Sequence, residues 1–138
     1  MFLERIAMMV VVLAVALAAL YLWRCCVARR LRRLGQVAAP ASVRDLVQSK
    51  SPAILYFTSA DCAQCRFQQS PMLEQLAERA RIAVYTIDAV AQQDLARFYG
   101  VMTVPSTVVL KPNLQPVAVN HGLTTPDQLA RQIATLGD

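Results

Sequence analysis

Hydrophobic and polar positions follow two regimes along this chain. From Ile6 to Trp23 eighteen consecutive residues carry no charge, IAMMVVVLAVALAALYLW. As a helix this run spans about 27 Å at about 1.5 Å per residue, close to the ~30 Å hydrocarbon thickness of a bilayer. It shows no polar face, unlike a helix on the surface of a soluble core. Tyr21 and Trp23 close it, where aromatic rings favour the headgroup layer. Arg24 follows at once, and then Arg29, Arg30, Arg32 and Arg33. The pattern predicts one transmembrane helix within a basic anchor segment, residues 1–34. A cleaved secretory signal is the rival reading, with small residues at Ala14-Val15-Ala16 and Ala16-Leu17-Ala18. The start, MFLER, carries little net positive charge for a signal, and the apolar run continues past both sites.

From Gly35 on, short periodic segments replace the unbroken run. GQVAAPA, residues 35–41, reads as a linker. Ser42 is placed to cap a helix over Val43–Gln48. AILYFT, 53–58, is a short apolar run suited to a strand buried on both faces. Over Arg66–Arg81, Leu73, Leu76, Ala77 and Ala80 share one helical face, opposite Glu74 and Glu78. Ile82–Ile87 reads as a second strand. Gln92–Tyr99 reads as a short helix stopped by Gly100. Ser106–Leu110 and Pro116–Val119 flank a Lys-Pro-Asn-Leu-Gln turn, a hairpin signal. Thr125 caps a last helix with Pro126 at its first position and Asp127 in its first turn. Leu129, Ile133 and Leu136 form its apolar face. The early strand–helix alternation implies parallel pairing and the late hairpin an antiparallel edge. The predicted fold is α/β: a mixed sheet flanked by helices over residues 42–138, after one transmembrane helix.

Composition narrows the function classes. The chain is 56% hydrophobic and 17% charged, which excludes intrinsic disorder. Four cysteines are too few for a disulfide-stapled mini-protein of 138 residues. The net charge of +5 first suggests nucleic acid or an anionic surface. However, residues 1–34 hold six arginines against one glutamate, while residues 35–138 hold eight basic and eight acidic side chains. The charge therefore belongs to the anchor, where each arginine gains ~1 kcal/mol on anionic headgroups. No aromatic platform is interleaved with it, so nucleic acid is not an expected partner. The expected partner of residues 6–23 and the following arginines is membrane lipid. One arginine precedes the apolar run and five follow it, which places residues 24–138 on the cytoplasmic side. The inverse, extracytoplasmic arrangement is the alternative.

The candidate chemistry is Cys62-Ala63-Gln64-Cys65, at the junction of a buried strand and a helix. A cysteine at a helix amino terminus is favoured as thiolate by unpaired N–H groups and the helix dipole. A second cysteine one turn later faces it. A structural zinc site needs four ligands, and only His121 remains outside the membrane-edge Cys25 and Cys26, so no metal is expected. For Cys25 and Cys26 three readings stay open: lipidation, an intersubunit disulfide, or small apolar residues at a helix end.

On YFTSADCAQC, GVMTVPSTVVL and the carboxy-terminal hairpin and helix, residues 42–138 resemble the thioredoxin family. The resemblance implies a redox-active Cys62/Cys65 pair and a cis Pro105 packed against it. It implies a substrate groove edged by Thr103, Val104 and Pro105 and, across it, by a loop holding His121 and Gly122. Strand-like pairing with a polypeptide would supply affinity there. The chain departs from the family at several positions. Asp61 stands where tryptophan is usual and Ala63-Gln64 where Gly-Pro is usual. The family's buried aspartate falls at Tyr56 and its lysine partner at Val84. A carboxylate at Asp61 disfavours a Cys62 thiolate, and Arg66 is placed to offset it. The helix proline comes one position late, at Pro71, which implies a one-residue difference in the active-site helix.

The implied activity is a membrane-anchored thiol–disulfide oxidoreductase that reduces protein disulfides, without bound cofactor. Its electrons would come from thioredoxin reductase or another dithiol donor. Two alternatives remain. One is a redox-inactive thioredoxin-like adaptor for a membrane partner. The other is an extracytoplasmic thiol–disulfide reductase or cytochrome-maturation protein.

Overall fold

The computed structural model describes residues 1–48 and 50–136. Ser49 and the last two residues of the domain expected at 42–138 lie outside the described residues. The chain forms two compact units, Met1–Arg33 and Leu34–Asp138.

Helix α1 runs from Phe2 to Gln36. Its most apolar eighteen-residue window has a mean hydropathy of 2.6 and no side chain buried in the protein. It is long and apolar enough to cross a membrane, a property that signal sequences share. The helix does not stop at the arginines. Gly35 and Gln36, expected to open a linker, are its last residues, because no proline interrupts the chain before Pro40.

In the second unit, helix α2 spans Ala41–Leu46. Pro40 takes the N-cap position and no side chain caps the helix. Ser42 thus lies inside α2 rather than capping it, since proline suits a helix entry where no N–H is needed. Strands β1 (Ala53–Thr58), β2 (Ala83–Asp88), β3 (Ser106–Leu110) and β4 (Pro116–His121) form one sheet in the order β2-β1-β3-β4. β1 pairs parallel with β2 and antiparallel with β3, and β3 pairs antiparallel with β4. This is the expected mixed sheet. The turn at 111–115 closes the β3–β4 hairpin, with Lys111 N–H donating to Gln115 C=O at 2.9 Å.

The unbroken apolar character of β1 follows from its place at the centre. Its odd positions face one core and its even positions the other. Leu55 and Phe57 pack with Val43, Ile87, Tyr99 and Leu110 on one side. Ile54 and Tyr56 pack with Leu73, Leu76, Val109 and Leu129 on the other. Helix α4 (Gln93–Tyr99) covers the first face, and Gly100 ends it in the left-handed conformation at φ 70°. Helices α3 (Ser70–Ala80) and α5 (Pro126–Ala134) cover the second. The Thr125 side chain accepts from Gln128 N–H at 3.3 Å, the expected cap of α5.

The helix expected over 66–81 forms in two pieces. A π-turn, Cys65–Gln69, precedes α3, with Ser70 N–H donating to Cys65 C=O. A π-turn accommodates one extra residue in a helix. The π-turn lies directly beside the second cysteine, in the helix where the late Pro71 implies a one-residue difference.

Candidate active site

The strand–helix junction delivers the cysteines. After β1 the chain turns, with Cys62 N–H donating to Ser59 C=O at 3.2 Å. Helical structure begins at Ala63, and Arg66 N–H donates to Cys62 C=O at 3.2 Å. Cys62 therefore occupies the entry of the helix, where backbone N–H groups lack helical partners. One is used at once: Cys65 N–H donates to Cys62 Sγ at 3.1 Å. Such a donor favours negative charge on the sulfur when it is a thiolate. The two cysteines form a disulfide, with Cα atoms 5.2 Å apart.

The pair is asymmetric. Cys62 is half-buried, whereas Cys65 is 1% exposed. Cys65 belongs to the core with Ile54, Tyr56, Leu73 and Val109, and Cys62 and Val104 pack against that same core. An incoming group can meet Cys62 but not Cys65.

Tyr56 is 2% exposed, and its hydroxyl lies 3.1 Å from Ser70 Oγ. It thus pins the end of the π-turn. Val84 packs against the same core. No Asp, Glu, Lys, Arg or His is among the buried residues described, so the core around Cys65 offers no carboxylate or basic side chain to move its proton.

Arg66 does not pair with Asp61. Its guanidinium lies 5.0 Å from the Phe67 ring centroid, a cation–π arrangement. Asp61 is exposed and has no hydrogen bond or ion pair among the described residues. The side chain expected to offset Asp61 is drawn instead to the aromatic ring beside it.

The Val104–Pro105 peptide bond is cis, and Pro105 is buried. Val104 packs against both cores, one of which contains Cys65. Thr103 is exposed, and its carbonyl accepts from Ser106 Oγ at 2.6 Å. Thr103 and Val104 line an open cavity of about 370 Å³ with Ser59, Val90, Arg97 and Met102. His121 is exposed and ends β4 opposite Ser106, so it lies in the sheet rather than in a loop. The strand runs two residues further than its pattern of apolar positions predicted. Gly122 follows at φ 78°, a conformation that favours glycine. Among the described residues no three His, Cys, Asp or Glu side chains gather as a metal site would require.

One buried contact was not anticipated. Gln69, at the end of the π-turn, is 1% exposed. Its Oε1 accepts from Thr124 N–H at 2.9 Å, and its Nε2 donates to Thr124 C=O at 3.3 Å. The signal was present in the sequence: Gln69 falls four and seven residues before Leu73 and Leu76, on the apolar stripe. A buried polar side chain on such a stripe needs a partner.

The thioredoxin family model matches residues 36–135. A thioredoxin mutant from Halobacterium salinarum is 30% identical, with a TM-score of 0.63, over 74% of this chain and 88% of that one. Thioredoxin-2 of a malaria parasite is 26% identical, with a TM-score of 0.53, over 63% of this chain and 82% of that one. A Fasciola hepatica thioredoxin, 22% identical, shares the fold at a TM-score of 0.59 over 71% of this chain and 94% of that one. A search of curated proteins found no significant match. The family match begins at the last residue of α1 and leaves out only the final three residues. The chain belongs to the thioredoxin family, and its cysteine pair marks it, at that general level, as a thiol–disulfide oxidoreductase.

Proposed function

We propose that this protein is a membrane-anchored reductase of protein disulfides. The observation that carries the reading is the asymmetric cysteine pair: an accessible Cys62 at a helix entry, beside a buried Cys65 whose N–H donates to the Cys62 sulfur.

In the reduced protein, the Cys62 thiolate attacks one sulfur of a substrate disulfide. A Cys62–substrate disulfide forms, and the second substrate sulfur leaves as a thiolate that takes a proton from solvent. Cys65 then loses its proton to solvent or to the departing substrate sulfur and attacks Cys62 Sγ. The Cys62–Cys65 disulfide forms and the substrate leaves as a dithiol. Two electrons have passed to the substrate. An external dithiol donor, thioredoxin reductase or another, restores the starting state. The backbone of exposed Thr103 and half-buried Val104, with His121 and Gly122 as the proposed opposite edge, offers a polypeptide the strand-like pairing that positions its disulfide over Cys62.

Helix α1 supports the anchoring part of the reading. Its apolar eighteen-residue window is long enough to cross a bilayer, and the arginines after it favour a cytoplasmic domain. A reducing compartment favours the reductase direction, and tethering raises the effective concentration toward membrane-bound substrates. A reporter fused to the carboxy terminus tests the sidedness, and an extracytoplasmic signal overturns it.

The test of the activity is insulin reduction by the full chain and by Cys62→Ser. The wild type is expected to be active and the variant inactive, and activity of Cys62→Ser refutes the assignment. A second reading, a redox-inactive adaptor, draws on the lack of a buried carboxylate or basic side chain beside Cys65 among the described residues. A glutathione titration separates the two, because an adaptor would hold Cys62 and Cys65 in one state across the accessible range.

A further inference from the structure

The π-turn Cys65–Gln69 is held at its end by two contacts. From the sheet, the Tyr56 hydroxyl meets Ser70 Oγ at 3.1 Å. From the far side of the site, Gln69 meets Thr124, 55 residues away in sequence. The second contact has an unusual form. One carboxamide accepts from the N–H and donates to the C=O of the same residue, the exchange that a neighbouring strand would make. Gln69 therefore does for Thr124 what the sheet does for β4, just beyond the point where β4 ends at His121.

The segment so held is His121–Thr124. Gly122 has positive φ, Thr124 Oγ1 donates to Gly122 C=O at 3.4 Å, and Leu123 is 47% exposed. Apart from these contacts within the segment, the Gln69 pair is the side-chain clamp that ties it to the helix carrying Cys65. The carboxamide is 1% exposed, so water does not stand in for a lost partner.

We propose that Gln69 is a positioning residue that couples the turn of Cys65 to the Gly122–Thr124 segment, and so fixes the width of the groove that receives a polypeptide substrate. The proposal rests on the oxidoreductase reading above. Gln69 is one turn past Cys65 and buried, so it touches neither substrate nor a reacting sulfur. Its effect is on how a polypeptide seats. A small disulfide needs only Cys62 and does not span the groove.

The test uses the full chain in detergent micelles. Its substrates are a peptide of about twelve residues closed by an internal disulfide and a small aromatic disulfide. Gln69→Leu removes both hydrogen bonds. Its KM for the peptide is expected to rise about tenfold or more, the scale on which misplacement of a positioned group acts. Its kcat is expected to remain within about twofold, and the small-disulfide rate to fall far less than kcat/KM for the peptide. Gln69→Glu supplies the rescue. When protonated, the carboxyl reproduces one acceptor and one donor, and when ionised it presents only acceptors to the Thr124 carbonyl. Its peptide KM, relative to wild type at each pH, is expected to be near wild type at pH 5 and raised at pH 8.

A folded Gln69→Leu with wild-type KM for the peptide overturns the proposal. So does an equal loss on both substrates, which is the mark of general structural damage. If Gln69→Leu does not fold, Gln69→Glu decides alone, and a relative KM unchanged between pH 5 and pH 8 overturns the proposal. Wild-type protein inert on both substrates contradicts the oxidoreductase reading itself, an outcome that no Gln69 variant can produce.

Discussion

Replacing Tyr99 by phenylalanine removes one buried oxygen from the core cluster that holds Phe57 and Leu55. Tyr99 is 1% exposed, between Phe57 and Phe98, with ring centroids 6.3 Å and 5.0 Å away. Its hydroxyl is buried without a hydrogen-bond partner. In the unfolded chain that hydroxyl is hydrated, so folding strips it for no return, at a cost of about 1–3 kcal/mol. The ring contacts survive in phenylalanine. Tyr99→Phe is therefore expected to stabilise the fold by about 1 kcal/mol at pH 7. Burial also pushes the Tyr99 hydroxyl from 10.0 up to about 12. A folded-state value raised above the unfolded one means stability that is complete below pH 10 and is lost as pH rises toward 12. By pH 11, midway through that window, wild type should lose a further amount of about 1 kcal/mol relative to Tyr99→Phe. Urea unfolding of the full chain in micelles at pH 7, 9 and 11, followed by circular dichroism, measures both effects. A Tyr99→Phe variant less stable than wild type at pH 7 refutes the unpartnered hydroxyl. A stability difference constant from pH 9 to pH 11 refutes the raised ionisation.

Two further predictions concern the hairpin and the last helix. Asn120 gathers Thr107 Oγ1, Gln128 Nε2 and both polar atoms of Gln132 at 2.8–3.2 Å, and it is 8% exposed. Asn120→Ala leaves several of these groups unpartnered and should cost about 2–3 kcal/mol in the same urea assay, so a loss below about 0.5 kcal/mol would show the cluster to be hydrated. Thr125→Ala removes the cap of α5 and should cost about 1 kcal/mol, with Thr125→Ser close to wild type.

The parts of the fold that were readable in the sequence are those written in local chemistry. AILYFT, buried on both faces, could hardly be anything but a central strand. Gly100 and the Thr125-Pro126 pair mark helix ends through backbone conformation and capping, which act within a few residues. The CxxC was legible because its position after a buried strand already implies a helix entry. The late Pro71 implied a one-residue difference in the active-site helix, but nothing local pointed to a π-turn there. What could not be read depends on contacts between distant residues or on a choice among neighbours. Gln69 finds Thr124, and Tyr56 finds Ser70, only after α3 has packed on the sheet. Arg66 had Asp61 and Phe67 both within local reach, and the ring won. Ser42 had the chemistry of a cap, but Pro40 had already started the helix. His121 continued β4 because a ladder to Ser106 outweighs the lack of apolar character at 120 and 121.

In the proposed cycle Cys62 attacks and Cys65 resolves. The most direct measurement is covalent trapping with Cys65→Ser. Reduced variant is mixed with a disulfide-closed peptide, quenched in acid and mapped by mass spectrometry. A stable peptide adduct on Cys62 is expected, and none when wild type is treated identically, because Cys65 releases it. Failure of Cys65→Ser to form an adduct at Cys62, with an adduct on Cys65 in the reciprocal Cys62→Ser variant, would contradict it.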